Sequence, residues 1–439
     1  MNAGRSSHPA KVLYIASRFP ALSETFVWQE LLEVRRQGIS VTTASLYTAA
    51  KTSDPVLESL RIETMVVYCE FGTWLLRAGS EVARYPARSL RTVLLAVTDA
   101  FTPATGSLRD RLRFPLQAVA AMTVSAEGRR RNVTHIHAHM ANSPATVAMY
   151  AAYQLRVPFS FTGHANDLFV HRCLLVQKLR RSAFVVCISR WHRDLYKAVV
   201  PLADARAPII RCGVAPVAVP DSPSATAAGV NGPLRILAVG RLVPKKGFDL
   251  LLAALAQLDV AFAWTCSIIG EGPQHARLDA MVRQLGLSDR VSLLGSATNE
   301  TVLGALRAAD LFVLPCRVDP ESGDKDGIPV VLMEAMAAGV PCIAGDLPAI
   351  RELVIHSKTG LLVPRDEVLA LTEAISRLAA SPEIRAELSR AAKIHVQTEF
   401  DRSANAAKLI HFFRSGAGVS ASANATLLPP DHSDSVQLV

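Results

Sequence analysis

One pattern constrains this chain's fold more than any other. Short apolar runs alternate with longer amphipathic segments, in two successive series. In the first half, runs 12–16, 41–46, 133–139, 159–163, 184–189 and 208–214 predict strands. In the second half, runs 234–240, 265–270, 291–295, 311–315, 341–345 and 360–364 do the same. Runs this continuous suit strands buried on both faces, and their alternation with helices implies parallel sheets. Ser23 can cap a helix that ends at Gly38, and Ser143-Pro144 reads as a cap followed by a first helical position. The segment 50–130 reads as mostly helical. Between the two series, residues 215–233 are rich in Pro, Ala, Ser and Gly, as a linker would be. The expected class is α/β, with two doubly wound, Rossmann-like domains at 1–216 and 217–400. Residues 415–439 read as a disordered tail.

Composition supports a packed protein. Of 439 residues, 50% are hydrophobic and 19% charged, which argues against wholesale disorder. The net charge of +9 favours an anionic partner, whether nucleic acid, membrane or phosphorylated small molecule. Seven cysteines, none spaced as C-x-x-C, read as buried thiols of a reduced cytosolic protein. The N-terminus does not read as a signal peptide, and no run is long enough for a spanning helix.

In doubly wound sheets, ligands bind beyond the carboxyl ends of the strands. Four such places carry chemistry. After the run ending at Gly240 come Arg241, Lys245, Lys246 and Gly247, then a helix. Fixed cations and close backbone approach at a helix start suit a diphosphate, although a solvated basic turn would look the same. Gly270 and Gly272, in GEGP, form a second Gly-containing strand-to-helix turn. A third lies at 321–341, where an acidic loop with Asp326, Gly327 and Ile328 runs into a helix carrying Glu334. A carboxylate among Leu332, Met333, Ala335 and Met336 is costly to bury without hydrogen-bond donors, and sugar or ribose hydroxyls would serve. A salt-bridged helical Glu is the plain alternative. In the fourth, FTGHANDL, His164 and Asp167 follow a strand, and His164 either meets a ligand or is an ordinary loop histidine. The run His135, His137, His139 places alternate imidazoles on one strand face. No acid or Cys lies nearby in sequence, so the expectation is a buried strand without metal, with His139 close to the cleft.

Taken in order, these segments resemble the retaining GT-B glycosyltransferases of family 4. The resemblance spans most of 11–400. It rests on SRFPALSETFVWQELLEVRRQG (17–38), HIHAHMANSPA (135–145), PFSFTGHANDLF (158–169), CISRW (187–191), RCGV (211–214), AVGRLVPKKGFDLLLAAL (238–255), IIGEGP (268–273), LGSATNETV (294–302) and DGIPVVLMEAMAAGVPCIA (326–344). The SRFP…SETF start and the GDKDGIPVVLMEAMA block look most like the colanic-acid and exopolysaccharide branch.

The resemblance implies two domains facing a central cleft, with the nucleotide-sugar donor mainly on the C-terminal one. It also implies a helix at 401–414 returning to the N-terminal domain. Arg241 and Lys246 match the pair that holds the donor diphosphate, and Glu334 the second acid of E-x7-E, which bonds the ribose. Asp326 stands where the first acid, normally Glu, contacts the donor sugar; its shorter reach leaves Asp324 or Glu321 as substitutes. His164 matches the cleft histidine. Gly240, Gly270, Gly272, Gly327 and Ile328 would line the donor site. Ser23, Glu24, His139 and Asp167 would face the acceptor.

The implied reaction is retaining transfer to a saccharide carried on polyprenyl diphosphate, at the cytoplasmic face of the inner membrane, with no cofactor and no required metal. Basic clusters 109–113, 129–131 and 178–181 would face anionic lipid. Rival readings are a GT-B sugar-nucleotide epimerase or phosphorylase, and a non-catalytic nucleotide-sugar-binding protein. Nucleic acid is disfavoured, because no helix-turn-helix, zinc-finger or RNP pattern appears.

Overall fold

The computed structural model describes residues 10–416 except 22–23, 103–107, 170–172, 216–231 and 259–261. Ser23, the body of the 215–233 linker and the tail beyond 416 lie outside the described residues.

The first series of runs forms β1 (Lys11–Arg18), β2 (Ser40–Tyr47), β3 (Met65–Val66), β4 (His135–His139), β5 (Phe159–Thr162) and β6 (Phe184–Val186). They pair in the order β3-β2-β1-β4-β5-β6, every pair parallel. The second series forms β7 (Leu234–Val239), β8 (Trp264–Ile269), β9 (Val291–Leu293), β10 (Leu311–Leu314), β11 (Cys342–Gly345) and β12 (Leu361–Val363). Their order is β12-β11-β10-β7-β8-β9, again all parallel. Each sheet therefore reverses direction once, between β1 and β4 and between β7 and β10. Crevices open at such reversals, beyond the strand carboxyl ends.

Two expectations need correction. Run 208–214 is not a strand. It makes only isolated bridges, Cys187 with Ile209 and Val214 with Asp401. Strand β3 went unread, because two residues are too few to show a pattern.

Each face of the first sheet has its own core. One is built from Leu13, Ile15, Ile136, Phe161 and the helix Ser143–Leu155. The other packs Val12, Tyr14 and Val27 against Leu409, Ile410 and Phe413. Those last three belong to the helix Arg402–Gly416, so the chain's final described helix covers the N-terminal sheet. The chain thus passes between domains twice, and the two passes are hydrogen bonded: Val214 N donates to Phe400 O at 2.9 Å, and Arg402 N donates to Val214 O at 3.1 Å. A Cβ on Gly213 would collide with the Arg402 backbone, so only glycine lets the passes lie this close.

Candidate active site between the domains

A cavity of about 1090 Å³ lies between the domains. Its walls come from the loops after β1, β4, β5, β7, β8 and β10. Glu24, His164, Asp167, Gly240, Arg241, Lys246, Gly270, Asp326, Gly327, Ile328 and Glu334 all line it. These residues span more than 300 positions in sequence, and the loops beyond the strand carboxyl ends bring them to one space.

The cationic end is built on the turn after β7. Lys246 Nζ lies 2.8 Å from Asp326 Oδ2, and Lys245 Nζ lies 2.9 Å from Asp324 Oδ2 and 3.4 Å from Asp326 Oδ1. The Cys316 thiol donates to Asp326 Oδ2 at 3.2 Å. Burial alone would raise the Asp326 pKa, but the ammoniums of Lys246 and Lys245 prevail and hold it at about 2. Burial likewise works against the Lys246 charge, and the Asp326 carboxylate more than restores it. The site thus holds a fixed ion cluster. Lys245, read from sequence as one of the turn's cations, is engaged with Asp324 and Asp326.

Gly270, at φ +151°, sits so close to the Gly240 carbonyl that a Cβ would collide with it. The turns after β7 and β8 therefore pack backbone to backbone beside the lysines. Gly272 does the same against Leu242 and is not on the cavity wall, which corrects its expected place in the donor site.

On the same cavity wall, Glu334 is 8% exposed and its Oε1 accepts from Asn299 Nδ2 at 3.4 Å. Burial pushes its pKa up, opposed by the Asn299 hydrogen bond and the Arg402 charge. A buried carboxyl with one long hydrogen bond retains acceptor capacity for ligand hydroxyls. Asn299, on the helix Asn299–Ala308, was not singled out from sequence.

From the N-terminal side, the His164 ring packs tilted against Phe26, with centroids 4.3 Å apart. His164 Nε2 lies 3.3 Å from His139 Nδ1, and His139 Nε2 lies 3.2 Å from Glu30 Oε1. Tyr14 donates to that same oxygen at 3.0 Å. One hydrogen bond joins the two imidazoles, its direction set by the tautomer. Burial, then His139 and His192, push the His164 pKa well down, so the ring is neutral. His139 itself is 1% exposed and stands behind the wall, not on it as expected. An acid does reach the histidine strand after all: Glu30, His137 and His139 present ligating atoms within 4.8 Å of one another. Both His137 nitrogens, however, already bond Ser160 (2.7 Å) and Thr162 (3.1 Å).

Asp167 lines the cavity, but its oxygens accept from the backbone N–H of Ala141 (2.6 Å), Ala165 (2.8 Å) and His164 (3.2 Å). It ties the loops after β4 and β5 together. Burial raises the Glu24 pKa, with His139 and Arg241 opposing and Asp167 adding to the rise.

Two of the three basic clusters expected to face lipid are partly engaged within the fold, through Lys178, Arg181 and Arg129, while Arg130 and Arg131 stay exposed in surface pairs. Lys178 is fully buried and donates to the carbonyls of Ala141, Asn142 and Cys173. Arg181 forks onto Asp99. Arg129 pairs with Glu81, and Arg130 and Arg131 pair with Glu127. Among the described residues, no helix is long and apolar enough to cross a membrane.

Comparison with known proteins fits this geometry. The family described as "Glycosyl transferases group 1" matches residues 227–395. The amylovoran biosynthesis glycosyltransferase AmsK of Erwinia amylovora is 38% identical over 176 residues, 39% of this chain and 42% of AmsK. A GDP-mannose-dependent alpha-(1-6)-phosphatidylinositol monomannoside mannosyltransferase of Mycobacterium tuberculosis is 32% identical over 41% of this chain and 47% of its own length. These matches therefore cover less than half of either relative. Anabaena HepE, solved with UDP and glucose, superposes with a TM-score of 0.66 at 20% identity, covering 92% of this chain and 100% of HepE. Sucrose-phosphate synthase of Thermosynechococcus elongatus does so at 0.66 and 21%, covering 94% and 100%. Two Rossmann-like domains facing one cleft make this chain a protein of the GT-B fold, with its group 1 glycosyltransferase match confined to the C-terminal domain.

Proposed function

We propose that the chain is a retaining glycosyltransferase. It would move a sugar from a nucleotide-sugar donor to a lipid-linked saccharide in the assembly of an exopolysaccharide, capsule or colanic-acid-like polymer. The observation that carries this is the cavity's lining: a lysine–arginine group and a buried, under-bonded carboxyl face one space. A nucleoside diphosphate sugar has anionic phosphates and neutral hydroxyls to match. Arg241 and Lys246 would hold the diphosphate and stabilise the charge it gains on leaving. Glu334 would accept from ribose hydroxyls, and His164 would hydrogen bond a hydroxyl of the sugar.

In the step itself, the bond from the sugar's anomeric carbon to the diphosphate oxygen breaks. A bond to the acceptor oxygen forms on the same face. The acceptor's proton passes to the departing phosphate oxygen. The two domains would exclude water, the competing acceptor. HepE is described with UDP and the mycobacterial relative with GDP-mannose, so the base stays open. The group 1 match and the AmsK likeness support the reaction class, and the protein would work on the cytoplasmic face of the inner membrane.

The test is turnover by the purified protein across UDP- and GDP-sugars, with and without membrane lipid extract. Release of nucleoside diphosphate with one donor, increased by lipid, is expected. No turnover with any donor would overturn the reading.

A further inference from the structure

Of the basic clusters read from sequence, those at 129–131 and 178–181 are partly engaged within the fold, whereas Arg113, of the cluster at 109–113, belongs to a larger exposed surface. More than half of the exposed large apolar side chains sit on or beside three consecutive helices, Phe71–Arg84, Pro86–Ala100 and Leu108–Arg130. Their alignment follows from one contact set. Arg129, near the end of the third helix, pairs with Glu81 and lies 3.9 Å from the Tyr85 ring centroid, where the first helix gives way to the second. At ~1.5 Å rise per residue, the first two helices run about 20 Å back from that point. The start of the first helix, the end of the second and the first turns of the third therefore lie level with one another. The Tyr68 hydroxyl, three residues before the first helix, feels the Arg113 charge of the third, as this alignment requires.

At this tip stand Phe71 (72% exposed), Leu75, Leu76 (77%), Phe101 (75%), Leu112 and Leu116. No fold contact accounts for side chains this exposed, and a cluster of this kind marks an interaction surface. Among the described residues its exposed charge is mostly basic. Arg77, Arg91 and Arg113 are exposed on these helices, whereas the acids Glu81 and Asp99 are buried and paired inward. Glu70 is the exposed acid at the margin. The tip also faces the functional side of the domain. The first helix begins five residues after β3, beyond the carboxyl edge of the sheet, and the cavity opens beyond that same edge. Tyr47 and Tyr68 stack nearby, with Arg18 over Tyr47.

We propose that this tip docks the protein onto an anionic lipid bilayer, inserting Phe71, Leu76 and Phe101 to headgroup depth while the arginines meet lipid phosphates. Apolar side chains ringed by arginine and tyrosine suit the bilayer interface, and bare apolar surface alone would not select anionic lipid. The proposal rests on the reading of the acceptor as lipid-linked. It adds a geometry in which the cavity mouth lies beside the membrane, within reach of a headgroup-borne saccharide.

The test is co-sedimentation of the full chain with phosphatidylethanolamine–phosphatidylglycerol vesicles and with phosphatidylcholine vesicles. The wild type is compared with F71S/L76S/F101S and with R77E/R113E. Circular dichroism and melting temperature report the fold, and equilibrium binding of nucleoside diphosphate reports the cleft. Expected is binding to the anionic vesicles that drops about tenfold or more in either variant, with fold and nucleotide binding unchanged. Variants that sediment as the wild type does would overturn the surface while leaving a membrane-bound acceptor open. A wild type that ignores both vesicles would overturn it too, as would an oligomer that the triple variant converts to monomer. Loss of nucleotide binding in every protein would count against the proposed function and not against this surface.

Discussion

Lys246 and Asp326 form a paired, buried charge set that a bound diphosphate would have to share. Removing the cation leaves Asp326 with Lys245 alone, at 3.4 Å. Lys246→Ala is therefore expected to lower kcat/KM by about a hundredfold or more, the scale of losing a charge-stabilising donor. Near-normal steady-state rates in that variant would sink the diphosphate assignment. The pair also sets an acid limit. Because the folded Asp326 pKa is depressed, its stabilising contribution is full above the ordinary carboxyl value of ~3.9. It is lost only as pH falls through about 2. Glu334 has the opposite sign. Its pKa is raised, so its charged form costs stability at neutral pH until a ligand supplies donors. Glu334→Gln should raise the melting temperature of the free protein by about 2–4 °C. It should also weaken nucleotide binding by about tenfold, the worth of a charge-assisted hydrogen bond. A variant that neither melts later nor binds more weakly would show that the carboxyl serves neither end.

At the scale of elements, β4 buries His135, His137 and His139 side by side. Burial lowers the His135 pKa to about 3, and burial with the neighbouring His139, His135 and His164 lowers that of His137 well below its ordinary value. A folded state that keeps histidines neutral binds fewer protons than the unfolded chain. Stability should therefore decline as pH falls below ~6.5, the unfolded value, towards the folded one. Thermal melts between pH 7 and pH 4 would show this, and His135→Phe should flatten the slope. The strand's apolar frame was legible in sequence because fully buried strands read as continuous runs. What those histidines bond was not: Glu30 reaches His139 across 109 positions, and Ser160 and Thr162 come from the next strand in the sheet. Run 208–214 is as apolar as a strand, yet it is spent on the passage between domains. The cleft residues Arg241, Lys246, Glu334 and His164 could be read because strand carboxyl ends point to ligands. Asn299 and Glu30 could not, because their roles depend on contacts the chain makes only once folded.

For the whole molecule, the helix Arg402–Gly416 decides whether the N-terminal domain can stand alone. Phe413 is fully buried against Tyr14, His135, His137 and Phe184. Phe413→Ala should cost about 3–5 kcal/mol in chemical denaturation, because it opens a cavity under the sheet. A smaller loss would show that the helix is loosely held.

The paired passes at Val214 and Phe400 have a further consequence. In its chain path, the C-terminal domain is an insertion, entered and left at one hydrogen-bonded doorway, although Arg211–Glu352 and Gly327 against His164 also join it to its host. The donor half could therefore be cut out and replaced as a cassette from a related protein, provided both edges of the doorway move together. A graft joined at one edge alone would leave the N-terminal sheet without its covering helix. Exchange at this doorway is thus a natural route by which such proteins could acquire a new donor while keeping their acceptor.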